Sequence, residues 1–255
     1  MGRLRRRSEL TAALLVLLSV PLIWLMLQQT ATPSVRPVAS PHARALSLPA
    51  EPGDPDYEPA GRTCDDPKVL VDRAHGLPAD YAPDDLVSLR QYGVPTLGGD
   101  ALLRREAAEH LGRMVVAAAV EGEELAVASA YRSYEDQRLS YGRLVSIYGA
   151  GANNTSAAPG HSQHQLGTAV DFTNAAVGYE VHRSFGRTTA SWWLLRHAHE
   201  HGFVLAYPPG REAETGYRWE PWHYRYIGVQ DAVRLRRSGL DLQGFLTQEG
   251  LAPRC

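Results

Sequence analysis

The chain has 255 residues, 44% of them hydrophobic and 21% charged, an ordinary balance for a globular protein with room for one sizeable domain and appendages. Its formal net charge is −2, and residues 28–255 carry 22 basic against 27 acidic side chains. A mildly acidic body with a single lysine, Lys68, lacks the basic face of a nucleic-acid binder, so no nucleic-acid partner is expected.

Arg3, Arg5, Arg6 and Arg7 precede an uncharged apolar run from Leu10 to Leu27. As a helix, this run spans about 27 Å, close to the ~30 Å core of a bilayer. Arginines before it and none directly after place residues 1–9 on the cytoplasmic side. The expectation is a single-pass transmembrane anchor over 10–27 in the cell membrane, with a cleaved secretory signal as the alternative. In either case the body lies outside the cytoplasm. Residues 28–63 contain seven prolines and few large apolar residues, which reads as an extended linker. The folded domain is expected over 64–255. Its two cysteines, Cys64 and Cys255, have no neighbour at metal-ligand spacing and are expected to pair as a disulfide in an oxidising compartment.

Within the domain, Asp100 is placed to cap a helix reaching about Val120, with Leu103, Ala107, Leu111, Met114 and Val115 as its apolar stripe. Glu124–Arg132 reads as a strand, and Ser133 caps a second helix with Leu144, Val145 and Tyr148 on its buried side. Alternation from Leu166 to Phe172 reads as a strand. Ser191–His201 reads as a short helix ended by Gly202, with Trp192, Trp193, Leu194 and Leu195 in the core. Phe203–Tyr207 and Tyr217–Tyr226 read as further strands. Helices followed by non-adjacent strands predict an α+β domain with a largely antiparallel sheet and flanking helices.

The segment GHSQHQLGTAVDF, residues 160–172, places His164 and Asp171 amid small and apolar side chains. An odd separation of seven puts them on opposite faces of one straight strand, so they share a metal only if the chain turns between them, with Gly167 as pivot. A third ligand is available in EPWHY, where Glu220 stands three residues before His223. Two histidines and an aspartate suit zinc and leave a fourth position open. Glu220 then serves as a general base.

Taken in order, SAYRSYEDQ, GHSQHQLGTAVDF and EPWHYRY resemble the three signatures of the VanY-type zinc D-alanyl-D-alanine carboxypeptidases. This group shares its fold with D-Ala-D-Ala dipeptidases and the hedgehog signalling domain. The resemblance covers about residues 75–230. It implies one zinc ion held by His164, Asp171 and His223, Glu220 as catalytic base and Arg132 as the group that stabilises the oxyanion. By the same match, Gln137 and Ser162 fall at positions associated with the substrate pocket, and Thr215-Gly216 also fits. His161 becomes a supporting loop residue, because the pattern uses the later histidine. Family members often carry arginine before Tyr207-Pro208, where this chain has Ala206. The implied substrate is a peptidoglycan stem peptide or its lipid-linked precursor. The same residues would serve an endopeptidase or a dipeptidase, and a non-catalytic cell-wall binding module that kept its metal is the reading from another class.

Overall fold

The computed structural model describes residues 64–154 and 156–251. The expected membrane helix over 10–27, the linker over 28–63 and the partner cysteine Cys255 lie outside these residues. Among the described residues no helix is long and apolar enough to cross a membrane. Cys64 is buried and is not a free thiol.

Strands β1 (Leu86–Ser88) and β2 (Leu102–Arg104) form an antiparallel ribbon, from which α1 (Arg105–Val120) departs. The expected start of this helix at Asp100 is therefore wrong. Residues Leu102–Arg104 are drawn into pairing with β1, and the Asp100 carboxylate accepts a hydrogen bond from the Ser88 hydroxyl. Strand β3 (Ala126–Ser129) leads into α2 (Tyr134–Tyr148), whose N-cap is Ser133 as expected: its hydroxyl accepts from the Asp136 N–H at 3.1 Å. The next elements are β4 (Ala169–Thr173), α3 (Thr189–His197), β5 (Phe203–Leu205), the short α4 (Glu212–Thr215), β6 (His223–Tyr226), α5 (Val229–Ser238) and α6 (Leu242–Gln248).

Four strands make an antiparallel sheet in the order β3-β4-β6-β5, so the predicted α+β class with an antiparallel sheet holds. Strand alternation gives the sheet two chemically different faces. Val170, Phe172, Phe203, Tyr224 and Tyr226 cluster with Leu111 and Met114 of α1 and Trp193 and Leu194 of α3. A fully buried phenylalanine such as Phe172 is worth about 3–5 kcal/mol on truncation to alanine. The opposite face carries Ala169, Asp171, His223 and Arg225. Here Arg225, wholly buried, donates through Nη2 to the carbonyls of Pro67 (3.0 Å) and Val69 (2.6 Å). Burial lowers its guanidinium to about 10. The segment from Cys64 to Leu77 is thereby strapped over the polar face. Further ties are an ion pair from Lys68 to Asp231 at 2.8 Å and a hydrogen bond from Gln243 Nε2 to Asp72 Oδ2 at 2.6 Å.

Two packing expectations fail. Only Gln137 of α2 is buried; Val145 and Tyr148 face solvent and Leu144 is partly covered. Trp193 and Leu194 are core, whereas Trp192 and Leu195 are exposed, since four consecutive residues go most of the way round a helix and cannot all fall on its buried side.

Candidate metal centre

The turn predicted at Gly167 exists and explains how His164 reaches Asp171. Gln163–Leu166 forms a 3-10 turn that ends at Gly167, whose φ is +66°. A side chain there would collide with Leu86 at 2.9 Å and Arg104 at 3.0 Å, so the position needs glycine for both conformation and space. Beyond the turn, Asp171 of β4 stands directly opposite His223 of β6. On one face of an antiparallel pair, facing side chains are near neighbours. Asp171 Oδ1 lies 2.9 Å from His223 Nδ1 and Oδ2 lies 3.2 Å from His164 Nε2. Ligand atoms of the three residues lie within 4.8 Å of one another, and all three residues are buried.

The surrounding carbonyls fix which nitrogen of each ring faces inward. His164 Nδ1 is 2.6 Å from the Ala130 carbonyl, which only accepts, so this nitrogen carries the proton and Nε2 presents its lone pair. His223 Nε2 is 3.1 Å from Gln163 Oε1, and the Gln163 amide donates in turn to the Val71 carbonyl at 3.5 Å. His223 therefore offers Nδ1. Tyr207 stacks on the same ring, with centroids 5.0 Å apart. In the metal-free site burial alone would raise the Asp171 carboxyl, but the two histidines, when their inward nitrogens carry protons, outweigh it by charge and hydrogen bonding and hold it well below the usual carboxylate range; a bound cation would take the place of those protons. Two inward lone pairs and an ionised carboxylate fit a divalent cation that takes nitrogen and oxygen donors.

Glu220 is placed by a turn. Its carbonyl accepts the His223 N–H at 3.1 Å, closing Glu220–His223 with Pro221 in the second position, which that residue favours. Burial, opposed by His223 and aided by Asp171, raises the Glu220 carboxyl to about 7; Arg132 and Arg183 draw it down in part. The carboxyl is poised to take or give a proton near neutrality. Arg132 follows β3, and its N–H donates to the His164 carbonyl at 3.2 Å. Its guanidinium is held by Gln137 Oε1 at 2.7 Å and Ser129 Oγ at 3.0 Å. The Gln137 amide nitrogen donates to Ser156 Oγ and the Ala157 carbonyl, so this side chain is spent on the protein. Ser162 is buried, two residues before His164. His161 Nδ1 donates to the Asp72 carbonyl at 2.7 Å and pins the N-terminal strap. Ala206 is buried and brings no charge.

A family model described as "VanY: D-alanyl-D-alanine carboxypeptidase" matches residues 100–229, about half of the chain. The chain belongs to the VanY family. A D-alanyl-D-alanine carboxypeptidase of Enterococcus faecalis (strain ATCC 700802 / V583) is 32% identical over 194 residues, covering 71% of this chain and 66% of the relative. Among solved structures, the LD-carboxypeptidase LdcB aligns with a TM-score of 0.68 at 34% identity, over 75% of this chain and 88% of that one. A mutant of the D,D-pentapeptidase VanY from a VanB-type vancomycin-resistance cassette, in complex with Zn(II), aligns with a TM-score of 0.58 at 30% identity, over 70% and 98%. The match spans 66% of the length of the first curated relatives.

Gln163 and Tyr207 were not singled out from the sequence as neighbours of His223. Nothing in the spacing of Gln163 marks it, because its role depends on the register of a strand 60 residues away.

Proposed function

We propose that the protein is an exported zinc-dependent D,D-carboxypeptidase that removes the terminal D-alanine from peptidoglycan stem peptides, in the wall or on the lipid-linked precursor. The observation that carries this reading is the convergence of His164 Nε2, Asp171 and His223 Nδ1 beside Glu220, a carboxyl that exchanges its proton near neutrality. Zinc bound by the three residues would supply a Lewis acid that polarises the scissile carbonyl and acidifies water. Glu220 takes the proton of the attacking water and passes it to the leaving amine. Arg132, held in place by Gln137 and Ser129, donates to the carbonyl oxygen as negative charge grows there. The family description and the Enterococcus relative's name support the D-Ala-D-Ala substrate, and the Zn(II) complex of a VanY supports the metal. The arginine-flanked apolar run supports a membrane anchor with the domain on the outer side.

One observation favours a second reading. The likeness to LdcB, an LD-carboxypeptidase, points to D-alanine removal from a tetrapeptide, where the preceding residue has the L configuration. Incubating the zinc-loaded protein with a pentapeptide ending in D-Ala-D-Ala, and separately with the tetrapeptide, decides by product mass. Loss of one alanine from the pentapeptide supports the D,D reading, and loss only from the tetrapeptide replaces it with the L,D reading. An internal cut indicates an endopeptidase, release of free D-Ala-D-Ala or hydrolysis of the free dipeptide alone a dipeptidase, and intact peptides a binding module.

A further inference from the structure

Residues Arg183–Arg187 form a 3-10 turn whose place over the site is set by Gly186. A Cβ on Gly186 would lie 2.5 Å from the Trp219 ring and 3.0 Å from Pro221, so the turn packs directly on the two residues flanking Glu220. In a 3-10 helix, residues three apart eclipse. Arg183 thus shares the face of Gly186 that packs on Trp219 and Pro221, the residues on either side of Glu220. Its charge is felt by the Glu220 carboxyl together with that of Arg132. Arg183 is exposed, and among the described residues no carboxylate pairs with it. Arg132 and Arg183 are the two arginines that draw on the Glu220 carboxyl. Arg132 is held by Gln137 and Ser129, while Arg73 stacks on Tyr217 and donates to the Asn153 carbonyl at 2.6 Å.

Glu220, as the group that hands a proton to the leaving amine, must touch that nitrogen. In a peptide cut one residue from its end, the terminal carboxylate carbon is two bonds further on, about 2.5 Å from the same nitrogen. The substrate therefore brings an anion into the immediate surroundings of Glu220, where two carboxylates repel unless a cation stands between or beside them. We propose that Arg183 receives the carboxylate that ends the substrate, which makes it a specificity residue for peptides finishing in a free acid. This rests on the hydrolytic reading above. A guanidinium suits the task because its planar fork matches both oxygens of a carboxylate.

The test compares diacetyl-Lys-D-Ala-D-Ala with the same peptide ending in an amide, on the zinc-loaded full chain and its Arg183→Gln and Arg183→Lys variants. Arg183 is exposed, so these variants keep the fold, which melting temperature confirms. The parent should favour the acid over the amide by on the order of tenfold or more, expressed in KM, as for a charge-assisted hydrogen bond. Arg183→Gln should lose the preference by weakening only the acid, and Arg183→Lys should keep part of it. An acid preference that persists in Arg183→Gln overturns the assignment and leaves the hydrolytic reading intact. If the parent cleaves neither peptide, the D,D reading falls, and equilibrium binding of the two peptides to parent and Arg183→Gln decides the assignment by the same comparison. Binding of neither peptide overturns both.

Discussion

Gln163 and His223 face each other across 3.1 Å, carbonyl oxygen to Nε2, and that contact turns the opposite ring nitrogen, Nδ1, toward Asp171. A single glutamine thus sets which nitrogen of the third candidate ligand is free to bind. Removing the acceptor with Gln163→Leu should weaken zinc binding by about 10–100-fold, the usual range for loss of a group that orients a metal-bound histidine. Gln163→Glu, which keeps an acceptor, should retain most of the affinity. Chelator competition measures both, and equal affinity of the parent and Gln163→Leu would show that the tautomer is fixed in another way.

Arg132 and Gln137 act as one unit in this account. Arg132→Lys should fall mainly in kcat, by up to about 3–4 kcal/mol in barrier for a lost oxyanion donor. A lysine point charge cannot span Gln137, Ser129 and a substrate oxygen with one rigid fork. Gln137→Ala should also lower kcat with KM little changed, and adding it to Arg132→Lys should cost little more, the mark of residues working through one another. A raised KM with unchanged kcat in Arg132→Lys would make Arg132 a substrate anchor instead.

The candidate metal centre was readable in the sequence because its residues lie at short-range spacings. The Gly167 pivot and the four-residue turn from Glu220 to His223 are local devices, and both survive intact in the fold. What could not be read depends on partners distant in the chain. Leu102–Arg104 has enough helical character to extend α1, yet pairs with Leu86–Ser88. The apolar residues Val145 and Tyr148 predicted a buried face for α2, but among the described residues the packing leaves both side chains exposed. Arg183 lies in no motif, and the feature that points to it, the packing of Gly186 on Trp219, is visible only in the fold.

Glu220 should make the metal-free protein sensitive to pH. Burial raises its carboxyl from 4.5 to about 7, so the native state holds a proton that the unfolded chain has released. Stability from this group is full below about pH 4.5 and is lost as pH rises through about 7. Glu220→Gln, which resembles the protonated form at every pH, should therefore match the parent near pH 4 and exceed it at pH 8 by up to ~3 kcal/mol. Urea unfolding of the metal-stripped proteins at the two pH values measures the difference. No gain at pH 8 would mean that Glu220 is solvated well enough to ionise freely.

The expected Cys64–Cys255 bond would tie the strap at the domain's beginning to its other end. Closing a loop this long stabilises by up to about 5 kcal/mol in the chain-entropy model. Oxidised protein should show no thiol on denaturation, and Cys255→Ser should lower Tm while sparing zinc content. Two titratable thiols would rule the bond out.

The division of labour between ligands and base is tested most directly by measuring zinc content and turnover together in Glu220→Ala and His223→Ala. Glu220→Ala should keep about one zinc per chain and lose at least ~100-fold in turnover on the pentapeptide, the lower range for general-base catalysis. His223→Ala should lose both metal and activity. A Glu220→Ala protein that purifies without metal, or that turns over at near the parent rate, would contradict the account.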